Sequence, residues 1–277
     1  MESPALDQMD FDTLHALLAW QVELGVTEAI GDTPVNAYDL PEAAPVIAAL
    51  AKPKAAVAAK PVTGHETRPP LPDPIAAPDL VAQARAAAAN VGDLAGLRAT
   101  LQAFEGCELK KGARNTVFAD GVPGARVMVI GEAPGRDEDL AGKPFVGAAG
   151  QLLDRMFDAI GMGRAATGDA ALYITNVLPW RPPANRDPAP GEIAMMLPFL
   201  TRHVELARPE VLVLMGNISC GAVLGRKGIT QLRGQFTEAL GLPVLPMFHP
   251  AYLLRNPAAK RHAWADLLTL QAWLRGG

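Results

Sequence analysis

Residues 126–135 read RVMVIGEAPG, an apolar run that ends in a turn of two glycines around a proline. The run at 126–130 is short and has no polar alternation, as expected of a strand buried on both faces. Three more such runs follow: ALYITNV at 171–177, VLVLM at 211–215 and VLPMF at 244–248. Helical patterns occupy the intervals and the end of the chain, at 149–161, 190–206, 217–225 and 259–274. Strands alternating with helices predict an α/β fold with a parallel sheet covered on both faces. Ligands of such sheets bind in the crevice beyond the carboxyl ends of the strands. Functional residues are therefore expected just after Ile130, Val177, Met215 and Phe248.

The loops at those places carry unusual chemistry. The GEAPG turn (131–135) can bring backbone N–H groups close to a ligand, although a generic strand-to-helix turn also explains it. Phe145 lies in the Gly- and Pro-bounded segment GKPFVGAAG (142–150). It is either a core ring or a platform for a planar ligand. Asn176 ends the second run, where its amide offers a donor and an acceptor together, as a nucleobase edge requires. Capping or turning the chain is the plainer role for it. His249 follows the last run, and Leu253, Leu254 and Arg255 come shortly after. Two apolar side chains followed by a cation suit a wedge in a base stack with the base on a phosphate, or the leucines are simply core.

The strings GEAPGRDEDLAGKPFVGAAGQLLDRM, YITNVLPWRPPANRDP, ITQLRG and FHPAYLLRNP resemble, in order and spacing, the motifs of family-four uracil-DNA glycosylases. The resemblance covers about residues 104–275. It implies a three-layer α/β/α sandwich on a four-stranded parallel sheet, which binds uracil-containing DNA, flips uracil out and hydrolyses its N-glycosidic bond in base excision repair. On that resemblance Phe145 stacks on uracil, Asn176 reads its polar edge, and Gly131 and Glu138 of the first active-site loop also bind uracil. His249 stabilises charge at uracil O2. Leu253, Leu254, Arg255 and Arg233 of ITQLRG contact DNA. Better-known glycosylases position water with an Asp in the first motif, where this chain has Ala133, so that part falls to Glu132, Glu138, a neighbouring acid or backbone, with Glu132 the favoured candidate.

Most family-four enzymes also hold an iron–sulfur cluster on four cysteines. The corresponding places here are Phe104, Cys107, Trp180 and Met196, so only one thiolate ligand remains. No cluster and no other metal is expected, with apolar packing in its place. A branch of the superfamily that becomes cross-linked to DNA carries a KRRIH insertion; residues 176–190 have none. The alternative to catalysis is a lesion- or DNA-binding protein of the same fold that has lost turnover. A phosphate-binding α/β protein unrelated to repair would leave the Phe145 loop and FHP unexplained.

Composition sets looser bounds. Hydrophobic residues make up 49% of the 277, enough for a sizeable core, and no apolar run reaches the roughly 20 residues that span a bilayer. The N-terminus lacks the features of a secretory signal. With only Cys107 and Cys220, the expectation is a monomeric protein of the cytoplasm, associated with the nucleoid. The net charge of −4 is unevenly spread: residues 1–100 carry thirteen acids and six bases, and the remainder sixteen acids and nineteen bases. The part with the motifs is thus mildly basic, which permits DNA binding. Residues 1–32 read as a helical segment, 33–80 as an Ala- and Pro-rich linker, and 81–277 as the glycosylase-like domain. The first helix, over 10–31, is a candidate docking element for a protein partner, and 79–104 reads as a further helix.

Overall fold

The computed structural model describes residues 77–276. The expected helix over 10–31, with its docking role, and the linker up to residue 76 lie outside the described residues. Helix α1 (Ala77–Ala89) begins inside the stretch assigned to the linker, because Leu80 and Val81 already pack against the core. The single helix expected over 79–104 is two. Helix α2 (Leu94–Ala103) starts afresh after Asp93, whose side chain accepts the Gly96 N–H at 2.7 Å. Between them Val91 turns into the core, and its carbonyl accepts from Arg202 at 2.7 and 3.0 Å.

The sheet has six strands, not four. Strands β2 (Val127–Gly131), β3 (Leu172–Asn176), β4 (Val211–Met215) and β6 (Leu242–Met247) form its parallel centre in the order β3-β2-β4-β6. Two short antiparallel strands close its edges: β1 (Asp120–Gly121) on β3 and β5 (Thr237–Ala239) on β6. Neither has the apolar run of a buried strand, so the sequence pattern does not announce them. The β5–β6 hairpin turns on Leu240 and Gly241, both at positive φ (53° and 72°), the pair of left-handed residues that a two-residue hairpin needs.

Alternation along each central strand sends side chains to two separate cores. Met128, Ile130, Leu212 and Leu214 join residues of α1, α2 and α6 (Pro190–Ala207) on one face. Val127, Val129, Val211 and Val213 meet α5 (Ala148–Asp158) and α10 (Lys260–Gly276) on the other. Burial on both faces explains why these strands are apolar throughout. The parallel register brings the carboxyl ends to one rim, with Gly131 opposite Asn176 and Met215 opposite Met247.

Candidate active site

A cavity of about 440 Å³ opens at that rim, lined among others by Glu132, Glu138, Phe145, Asn176, Asp187 and His249. Its first wall runs from Gly135 through helix α4 (Arg136–Ala141) to the Phe145 loop. Glu138, the third residue of α4, accepts the Gly135 N–H at 3.1 Å with one carboxylate oxygen. Its other oxygen accepts from Val146 (3.0 Å) and Gly147 (2.9 Å), the two residues after Phe145. Glu138 therefore holds two loops together, with three of its acceptor positions taken by backbone N–H groups.

Phe145 is buried and has φ of 55°, a left-handed conformation costly for a residue with a Cβ. Arg164 fixes it from outside, donating to the carbonyls of Phe145 (2.8 Å) and Pro144 (3.0 Å). The same guanidinium is held by Asp154 (2.9 Å) and Asp120 (3.0 Å). Burial alone would raise the Asp120 pKa, yet hydrogen bonds from Arg164 and Lys143 hold its carboxyl below the usual value. The Phe145 ring stacks beside His249, with centroids 5.5 Å apart and planes 30° from parallel. Gly131 permits this crowding: a Cβ there would collide with both the Phe145 ring and the Asn176 amide.

The opposite wall is made of strand ends. Asn176 is buried, and its side-chain amide makes no hydrogen bond to protein among the described residues. Glu132 is half-buried, likewise without a hydrogen-bond partner for its carboxylate among them. Burial, reinforced by the charge of Asp187, pushes its pKa up to about 6. His249 caps helix α9 (Pro250–Arg255), where its Nδ1 accepts the Ala251 N–H at 3.1 Å. Burial and then the nearby Arg255 push its pKa down to about 4, against a small opposing influence of Glu138. The ring is thus neutral at physiological pH, and with Nδ1 as acceptor its proton lies on Nε2. Ala133 contributes only a methyl group to the cavity.

The remaining predicted residues divide. Arg255 lines the cavity and Leu254 is 40% exposed beside it. Leu253 is fully buried in the core, so it is not a wedge. The supposed loop is helix α9, which turns these neighbours to different sides. Arg233 stands apart, in a second cavity, paired with the buried Asp266. Phe104, Cys107, Trp180 and Met196 all belong to or pack on the same apolar core cluster, Phe104 edge-on to Phe199 at 5.3 Å. Burial raises the Cys107 pKa, and one thiol with three apolar side chains is not a ligand set for an iron–sulfur cluster. Among the described residues no group of three His, Cys, Asp or Glu could hold a metal, and no helix is long and apolar enough to cross a membrane.

Sequence reasoning missed Arg164 and Asp187. An acid in the loop after β3 was a usable signal for Asp187; nothing local marks Arg164, whose partners lie 10 to 44 residues away.

At one rim of this α/β sheet the Phe145 ring, the Asn176 amide and a neutral His249 thus face a single cavity. Residues 118–268 match the model of the uracil DNA glycosylase superfamily, and the chain belongs to that family. It is 38% identical over 169 residues to a type-4 uracil-DNA glycosylase of Archaeoglobus fulgidus, covering 58% of this chain and 82% of the relative. A type-4 enzyme of Saccharolobus solfataricus is 38% identical over 165 residues, covering 56% and 74%. One from Thermotoga maritima is 40% identical over 153 residues, covering 54% and 77%.

Proposed function

We propose that this protein is a uracil-DNA glycosylase that hydrolyses the N-glycosidic bond of uracil flipped out of DNA, leaving an abasic site for repair. The observation that carries the reading is the constellation at the rim: Phe145 beside His249, with the Asn176 amide and Glu132 carboxylate facing the same cavity without a protein partner among the described residues. Asn176 supplies a donor and an acceptor to the polar edge of uracil, and Phe145 a stacking face. Extrusion is required because the bond is inaccessible within the base stack.

Bond cleavage sends the glycosidic electron pair into the uracil ring and leaves positive charge on the sugar. The anion develops at uracil O2, where a neutral His249 donates from Nε2 in a site already shaped for it. An imidazole held neutral does not give up its proton outright; it stabilises uracilate as a leaving group. Water then adds to the sugar carbon. Glu132, ionised above about pH 6, orients that water and takes its proton, the part Ala133 cannot play.

The chain is read as a three-layer α/β/α sandwich that acts as a monomer without an iron–sulfur cluster. Apolar contacts of Phe104, Trp180 and Met196 replace metal–ligand bonds as the link between α2, the loop after β3 and α6. A lesion-binding protein without turnover is disfavoured, since the catalytic side chains face the cavity together. Incubation of the purified protein with a uracil-containing oligonucleotide should release free uracil and leave alkali-labile sites. Binding without release would overturn the catalytic reading.

A further inference from the structure

Helix α9 separates two cavities, and Tyr252 lines both. The second measures about 380 Å³ and is formed by Arg233, Phe248, Tyr252, Asn256 and Arg261 with their neighbours. Its construction is aromatic and cationic. Phe248 and Tyr252 stack with centroids 4.9 Å apart and planes 28° from parallel. The Arg233 guanidinium lies 5.7 Å from the Phe248 centroid. It is fixed there by the buried Asp266, with Nε to Oδ2 at 2.9 Å, and by the His262 carbonyl at 2.8 Å. Asp266 neutralises Arg233, so the free positive charge at this mouth comes from the exposed Arg261.

We infer that this cavity is a subsite for the nucleotide next to the flipped uracil on the same strand. The inference rests on the glycosylase reading of the first cavity. Phe248 is buried between Tyr252 and the guanidinium, so the partly exposed Tyr252 ring, with Arg233 nearby, is the surface offered to the flat face of a base, and stacking of this kind accepts any base. Asn256 and Arg261 at the rim suit sugar and phosphate oxygens. Continuity decides the occupant: Tyr252 lines both cavities, and the adjacent Arg255 and Asn256 line one each, so a strand leaving the uracil cavity across α9 reaches the second.

The test uses three single-stranded oligonucleotides, with uracil internal, at the 5′ end or at the 3′ end. Uracil release and Kd are measured for the wild type and for R261A and N256A. R261A should raise KM and Kd about tenfold on internal uracil, the loss expected of one charged phosphate contact. That factor should collapse towards one on a single terminal substrate, the one lacking the neighbour that fills the subsite, and persist on the other. N256A should show the same asymmetry at smaller size. An equal factor on all three substrates would mean a diffuse electrostatic surface and overturn the subsite, as would no effect on internal uracil. Wild-type binding without uracil release would sink the catalytic reading alone, because the Kd comparison still decides the subsite.

Discussion

The two walls of the uracil cavity are built on opposite plans. Around Phe145 every strong polar group is engaged with protein: both oxygens of Glu138 and the Nε, Nη1 and Nη2 groups of Arg164. Across the cavity the Asn176 amide and the Glu132 carboxylate have no protein partner among the described residues, and His249 keeps Nε2 free of one. The first wall uses its polar groups to hold a strained backbone in place. The second leaves them facing the open cavity, where a ligand can replace the water that otherwise satisfies them. Rigidity and reactivity are thus assigned to different side chains, even within the one connection that carries Glu132 and Glu138.

The sharpest way to break this comparison is to neutralise one carboxylate on each wall. E132Q should lower kcat about 10²–10³-fold, the range for loss of a general base. Wild-type activity should rise with pH through about 6, since the working form of Glu132 is the carboxylate, and the Gln variant should lose that limb. An acid limb unchanged in E132Q would assign it elsewhere. E138Q should reduce activity by only about tenfold, through a misplaced Phe145, while lowering Tm by roughly 4 °C as a buried backbone N–H loses its acceptor. R164A should behave as E138Q does, with kcat and Tm falling together. If either variant lost activity at unchanged Tm, the first wall would be part of the chemistry.

The smallest effect concerns stability, and its sign differs between the walls. Glu132 has a folded pKa above its ordinary 4.5, so its protonated form is favoured in the fold. Its contribution to stability is present below about pH 4.5 and is lost as pH rises through about 6. E132Q should therefore raise Tm by about 2 °C at pH 7.5 and leave it unchanged near pH 4.5. A lower Tm at pH 7.5 would show that Glu132 has a partner in solution.

What the sequence disclosed follows the range of the interactions. The four parallel strands were legible because burial on both faces leaves an unbroken apolar run, as in VLVLM. The edge strands were not, because Asp120–Gly121 and Thr237–Ala239 owe their conformation to the strand beside them. The break between α1 and α2 had a local signal in Asn90–Asp93 that the alanine run obscured. The residues facing the cavity sit at strand ends, where topology alone places ligands. Arg164 and the burial of Leu253 depend on contacts distant in the chain, and a spacing argument cannot reach them.

The two edge strands also bear on how the protein behaves at high concentration. A central parallel sheet of apolar strands is a template for further pairing if its flank is open. Here each flank ends in an antiparallel strand of two or three residues, too short to recruit another chain. Glu238 of β5 is exposed there and adds a charge to that border. Short strands at both borders thus work against strand addition to a central sheet that is apolar throughout.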